Sequence, residues 1–400
     1  MYKFLETRDQ KQFQEKLQMK MEEKGIDTLL FTTPQNIFYG TGYISGMYGL
    51  WGYGSDLAIM PAKGKASLVT SHFAYGGAEL QTKGDVEIIG YPTWIFIEDW
   101  YDPNEKEKEV QPNPNNVFKM ACDVIKSYKD NAVVGIERDS MPYDKYLYLI
   151  EEFGADNLID IKQFMIEVRQ IKFPWEIDVL RYSAKTAEKM MNITMQYTEP
   201  GMTEADLFKI WHQAAYEITG GHELVSVCQA HTPGPGYWAT QMPRELPLVN
   251  GDIVRLDGGV NIYGYISDLG RVYAVGDHVA PEKKAIFDSL LAGRDAGIAQ
   301  FMPGNKFSDV FHATMKVIKE GALPHFVRGH VGHTIGLGPG EEYPMLNPDN
   351  DMVFEPGMVL CFETPYYSSK YGSYNLEDTL LITANGHELF TNTNRSLFIK

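Results

Sequence analysis

Apolar and polar residues alternate with a two-residue period along many short stretches of this chain, and with a helical period along a few longer ones. The first 160 or so residues mix the two. An opening segment, "MYKFLETRDQKQFQEKLQMKMEEKG", is charged and helical in period. It is followed by "IDTLLFTT" from Ile26, "DLAIMPAKGKASLVTS" from Asp56, "DVEIIGY" from Asp85 and "NAVVGIER" from Asn131. Each reads as strand bounded by Gly, Pro or Asp. A polar stretch from Asp99 to Asn116 reads as a solvated surface loop. This half predicts an α/β domain.

The texture changes near residue 165. Two amphipathic helices are joined by "EPGMTEAD", where Pro200 and Gly201 break the chain. Thr203 is the predicted N-cap of the second, with Asp206 completing a variant capping box. Beyond Gly221 come strands with long loops, then helices over about Glu282–Phe301 and Phe307–Gly321, then strands again. This half predicts an α+β domain with an antiparallel sheet. The expected division is into two domains, 1–165 and 166–400.

The second half carries a charge problem. "VRLDGGVNIYGYISDLGRVY" places Asp257 and Asp268 on the two arms of a hairpin. Folding it about the middle of Asn261–Gly264 sets the aspartates opposite one another, Cβ atoms roughly 5 Å apart, where like charges destabilise. "MVLCFETPYYSSKYGSYNLEDTLLIT" repeats the design, with Glu363 and Glu377 facing across a loop centred near Lys370. Burying even one unpaired carboxylate costs several kcal/mol, of order 3–5. Arginine could compensate, since Arg255 shares a strand face with Asp257 and Arg271 lies nearby; so could shared protons, or metal ions. Between the hairpins lies "VRGHVGHTIGLGPGEEYPML", rich in His and Gly. Carboxylates with one imidazole suit Mn²⁺, Fe²⁺, Co²⁺ or Zn²⁺, and two such cations would absorb four carboxylates.

Composition narrows the class. With 53 acidic and 36 basic residues among 400, the net charge is −17, which argues against nucleic acid or an anionic membrane as the main partner. Three cysteines far apart exclude a cysteine-rich zinc site and point to a reducing compartment. The opening segment lacks the apolar core of a signal peptide, and no run of about 18 apolar residues occurs. A cytoplasmic protein is expected. Phosphate-binding loops, HExxH and GxSxG are missing too.

At this point the chain resembles a known group, the metallopeptidase superfamily of methionine aminopeptidase, aminopeptidase P, prolidase and creatinase, with its pita-bread fold. "LDGGVNIYGYISDLGRVY" is similar to its first hairpin, "GHTIGL" to its histidine segment, and "EPGMVLCFETP" and "NLEDTLLIT" to its two glutamate strands. "RQIKFPWEIDVLRYSA" and "EPGMTEADL" resemble the entry to the catalytic domain. The N-terminal half is similar to the accessory domain of the creatinase and prolidase branch. The resemblance implies that Asp257 chelates one metal, Asp268 and Glu377 bridge two, and His333 with Glu363 holds the other. It implies two divalent cations, Mn²⁺ first among them and Co²⁺, Fe²⁺ or Zn²⁺ as alternatives. Glu363 would carry a proton from a metal-activated water to the leaving amine. His231, in "CQAHTPGPG", matches the upstream histidine that contacts substrate.

One position departs from the pattern. The peptidases of this group carry a second histidine seven residues after the metal-binding one, and here Gly340 stands there. Losing one such donor costs about 10²–10³ in rate. His330, Glu341, Glu342 and Tyr343 are the candidate substrate-side residues around this gap. The favoured function is hydrolysis of short Xaa-Pro peptides, as a dipeptidase or aminopeptidase. An alternative is a small-molecule enzyme of the same fold, either like the dimethylsulfoniopropionate lyases or a C–N hydrolase. Glu341 or Glu342 would then be the base, and Tyr48, Trp51, Tyr53, Trp238, Tyr343, Tyr366 and Tyr367 could cage an onium group. A partner-binding protein without catalysis is the third reading. The two-domain branch implies a homodimer.

Overall fold

The computed structural model describes residues 3–46, 52–100, 113–220, 224–231, 243–338 and 342–398, with only the backbone of 3, 224–231 and 342. The chain forms two compact units, Met1–Val168 and Arg169–Lys400.

In the first unit, strands β1 (Thr28–Phe31), β2 (Leu57–Pro61), β3 (Ala66–Ser71), β4 (Val86–Tyr91), β5 (Val134–Ile136) and β6 (Leu158–Asp160) form one sheet in the order β4-β3-β2-β1-β5-β6. Pairing is antiparallel between β1, β2 and β3 and parallel elsewhere, so the sheet is mixed. The opening helix, Gln10–Lys24, starts on an Asp9 N-cap and ends on Gly25 in the left-handed region. Leu30, Leu57, Ile59 and Val69 of the sheet pack with Phe118, Ala121, Cys122 and Ile125 of the helix Pro114–Tyr128. Most of the expected solvated loop, 101–112, lies outside the described residues.

The second unit opens with helices Pro174–Tyr197 and Glu204–Thr219. Thr203 caps the latter, and its side chain and that of Asp206 exchange hydrogen bonds with each other's backbone, as the sequence predicts. The strands are β7 (Leu224–His231), β8 (Ile253–Ile262), β9 (Tyr265–Ile266), β10 (Leu269–Ala274), β11 (Gly332–Thr334), β12 (Glu342–Met345), β13 (Val359–Glu363), β14 (Tyr366–Ser368), β15 (Gly372–Tyr374), β16 (Glu377–Thr383) and β17 (Gly386–Leu389). The main sheet runs β12-β11-β13-β16-β10-β8-β7, antiparallel at the pairings that build it.

Alternation along β13 and β16 decides which face each side chain takes. Leu360, Phe362, Leu380 and Ile382 join a core with Phe287 and Leu290 of helix Pro281–Ile298 and Val310, Met315 and Ile318 of helix Phe307–Glu320. Cys361, Glu363, Glu377 and Thr379 therefore emerge on the opposite face. Each large apolar side chain contributes about 1.5–3 kcal/mol on burial. A one-residue slip would put the glutamates under the helices, so the core fixes the register.

Candidate metal centre

The two acidic hairpins fold with different registers. Glu363 pairs directly with Glu377, and the same register continues into Tyr366↔Tyr374 and Ser368↔Gly372, so the loop centres on Lys370 as expected. Asp257, however, pairs with Gly270 and not with Asp268. This corrects the sequence reading. The turn falls on Tyr263 and Gly264, at φ 54° and 88°, one residue later than the middle of Asn261–Gly264. Two successive positive φ values belong to the tight hairpin turn whose second position favours Gly. The Asn261 side chain reinforces it by accepting from the Gly264 N–H at 2.7 Å. Asp268, between β9 and β10, lies diagonal to Asp257.

Across the sheet the registers generate two neighbouring rows on one face. The first contains Glu363, Glu377, Gly270 and Asp257. The second contains His333, Cys361 and Thr379, and the main-chain carbonyl of Asp268 closes it by accepting from Thr379 Oγ1 at 3.3 Å. Carboxylate oxygens of Asp257, Asp268 and Glu377 lie within 4.8 Å of one another, as do a ring nitrogen of His333, Cys361 Sγ and a Glu377 oxygen. His333 Nε2 stands 3.9 Å from Asp268 Oδ2 and 3.9 Å from Glu377 Oε1. Gly270 leaves the gap in the first row. A Cβ there would meet the Asn375 amide at 2.7 Å.

Several contacts orient these groups. His333 Nδ1 donates to the Thr334 carbonyl at 3.0 Å, which leaves the Nε2 lone pair facing the carboxylates, the arrangement a metal-binding imidazole needs. Asn375 donates to Asp257 Oδ2 at 3.3 Å and Glu377 Oε2 at 3.0 Å. The fully buried Arg255 donates to Asp257 Oδ2 at 2.5 Å and to the Tyr367 hydroxyl at 3.3 Å. Arg328 donates from Nη2 to Glu363 Oε1 at 2.7 Å and from Nε to the His330 carbonyl at 3.2 Å. Arg271 is directed away, to Glu188 and Asp378.

Arginine thus compensates the two outer carboxylates, and the inner ones stay crowded. Burial first, then the charges of Asp268, Glu363 and Asp257, push the Glu377 carboxyl well above its ordinary range, against the Asn375 hydrogen bond. Burial and the Glu377 and Asp268 charges likewise push the Cys361 thiol up. Carboxylates this close, with an oriented imidazole beside them, fit divalent cations.

Of the remaining candidates, His330 Nδ1 is 3.5 Å from Glu363 Oε1 and accepts from the Gly332 N–H at 3.3 Å. Tyr343 is largely exposed. Gly340, Glu341 and the side chains of His231 and Glu342 lie outside the described residues, as do Tyr48, Trp51 and Trp238. Tyr53 stacks on Phe118 in the first unit, and Tyr366 packs edge-on against Tyr374. Tyr367 accepts from Arg255, the arginine that also holds Asp257. The sequence reading passed over Asn375, Cys361, Gly270 and Arg328. Asn375 and Cys361 were findable, each two residues before a candidate ligand glutamate and so on its face. Gly270 needed the correct register, and Arg328, in a loop, left no periodic signal.

Known proteins are similar to this chain along nearly its whole length. The profile of Metallopeptidase family M24 matches residues 178–384, and that of the Creatinase/Prolidase N-terminal domain matches 14–171. The chain belongs to metallopeptidase family M24, in its two-domain creatinase/prolidase form, with a pita-bread second domain. It is 24% identical over 388 residues to the uncharacterized peptidase YqhT of Bacillus subtilis, covering 96% of this chain and 99% of that protein. Its fold is similar to that of an Xaa-Pro dipeptidase from Bacillus anthracis, with a TM-score of 0.77, 21% identity, and coverage of 98% of this chain and 99% of that one. A recombinant prolidase from Thermococcus sibiricus gives a TM-score of 0.80 at 20% identity, covering 98% and 99%. Among the described residues no helix is long and apolar enough to cross a membrane.

Proposed function

We propose that this protein hydrolyses short peptides at the N-terminal side of proline, as an Xaa-Pro dipeptidase or aminopeptidase with two divalent cations. The observation that carries this reading is the crowding of Asp257, Asp268 and Glu377 beside the oriented Nε2 of His333. Its structural neighbours include an Xaa-Pro dipeptidase and a prolidase, which supports that substrate class.

Asp257, Asp268 and Glu377 would hold one cation, and His333 and Glu363, again with Asp268 and Glu377, the other. When bound, such cations supply Lewis acidity and an acidified water at neutral pH. The chain's own residues supply position and proton transfer. Asn375 donates to both Asp257 and Glu377 and so holds the two carboxylates side by side. Glu363 is the proton carrier, accepting a proton from the attacking water and delivering it to the leaving imino nitrogen. Arg328 grips one of its oxygens and directs the other for that transfer. His330, beside the same carboxylate, is placed to meet the substrate side of this exchange.

The test is turnover of a panel of Xaa-Pro dipeptides and tripeptides with added Mn²⁺ or Co²⁺, and again after chelation. Metal-dependent release of the N-terminal residue is expected. A protein that holds metal yet turns over none of the panel would overturn the peptide assignment and direct the search to small non-peptide substrates.

A further inference from the structure

We infer that Cys361 is a ligand of the cation on the His333 side, giving that half of the centre a nitrogen, oxygen and sulfur donor set. The inference rests on the metal-dependent reading above and adds a sulfur to the ligand set the resemblance implies.

Position comes first. Cys361 is the direct cross-strand partner of both His333 and Thr379, so it stands in the middle of the second row. His333, Cys361 and Glu377 are all buried, and each offers an atom within 4.8 Å of the other two. Glu363 belongs to neither close group. Its Oε1 is held by Arg328, which is itself anchored on the His330 carbonyl. Asp257 is bonded to Arg255 in the same way, so an arginine on Glu363 does not bar that carboxylate from a cation; the sulfur adds a donor that no guanidinium holds. Its partners are the Asp268 carbonyl at 3.4 Å and the Thr379 hydroxyl at 3.5 Å, both neutral.

The step balances simply. The S–H bond breaks, the sulfur lone pair forms the bond to the cation, and the proton leaves to solvent. No electron is transferred. A coordinating cation is sufficient to deprotonate a thiol outright. The consequence is selectivity. Mn²⁺ prefers oxygen donors, and a thiolate shifts preference toward Zn²⁺, Co²⁺ or Fe²⁺.

The experiment is a Co²⁺ titration of chelator-stripped, full-length protein under anaerobic conditions, followed by absorption. The expected result is visible d–d bands with a near-ultraviolet sulfur-to-cobalt charge-transfer band. In Cys361→Ser the charge-transfer band is lost and the visible bands remain. Cys361→Thr serves the same purpose should the serine variant fail to fold. Visible bands with no charge-transfer band, or one that survives in the variants, would overturn the inference and leave the metal reading standing. Absence of any cobalt band would overturn both.

Discussion

Each unit of this protein buries a glutamate, and the two are treated in opposite ways. Glu137, in the first unit, accepts from the Thr32 N–H at 2.5 Å, the Thr32 hydroxyl at 3.0 Å, the Thr33 N–H at 2.9 Å, the Asn36 amide at 2.6 Å and the Thr33 hydroxyl. Its partners open the helix Pro34–Thr41, so the carboxylate ties β5 to that helix start. Glu377, in the second unit, receives one amide and faces three other carboxylates. A buried charge surrounded by donors is complete as it stands. One surrounded by its own kind is complete only with a cation present. The contrast sets a carboxylate satisfied by donors apart from one that we propose as a cation ligand, without reference to any relative.

The largest test of that contrast is Glu377→Ala. Metal binding and metal-dependent activity should disappear together, because the carboxylate shared by both close groups is gone. Wild-type protein should gain about 2.7 kcal/mol of stability for each cation bound when free metal is a hundredfold above its Kd. The variant should gain none, and its metal-free form should melt no lower than wild type, since a repulsive charge has been removed. Thermal melts with and without Mn²⁺ or Co²⁺, alongside metal content by mass spectrometry, check all three points. Retained metal-dependent activity would sink the proposed centre.

Glu137→Ala should do the reverse. It leaves the Thr32 and Thr33 N–H groups and the Asn36 amide without their acceptor, at a cost of about 3 kcal/mol or more. Metal stoichiometry and affinity should be unchanged. Urea unfolding of the full chain measures the first and metal titration the second. A variant that loses metal but keeps its stability would invert the assignment of the two glutamates.

The same contrast explains what was legible in the sequence. Alternation and breakers located the strands of both halves, and the Thr203 cap was readable because its partners are three residues apart. The glutamate pair came out in register because a long, symmetric polar loop has only one sensible centre, near Lys370. The aspartate pair did not, because the turn type depends on which two residues take positive φ. Tyr263, which is neither Gly nor Asn, gave no warning. A shift of one residue at the turn moves the pairing by two, which turned a facing pair into a diagonal one. The Glu137 cluster was illegible for a different reason: its donors lie about a hundred residues away, on another strand's end. Local periodicity carries no information about such a pairing.

The smallest effect expected concerns Asp56, a third buried carboxylate that falls between these extremes. It accepts from the Thr70 hydroxyl at 2.5 Å and from the Ser45 hydroxyl. These two donors are fewer than Glu137 has, and burial pushes the Asp56 carboxyl above its ordinary value of 3.8 despite them. A raised pKa means that the folded state holds the proton more tightly than the unfolded chain does. The resulting stabilisation is fully present below pH 3.8 and is lost as pH rises through the folded-state value. Asp56→Asn cannot ionise and has no such loss. Relative to wild type, the variant should therefore gain stability steadily above pH 3.8 and then level off once the wild-type group is ionised. Urea midpoints of both proteins across the acid-to-neutral range give the difference, in which all other titrating groups cancel. Parallel profiles would mean that two hydroxyl donors suffice to complete a buried carboxylate, and would move the dividing line of the comparison closer to Glu377.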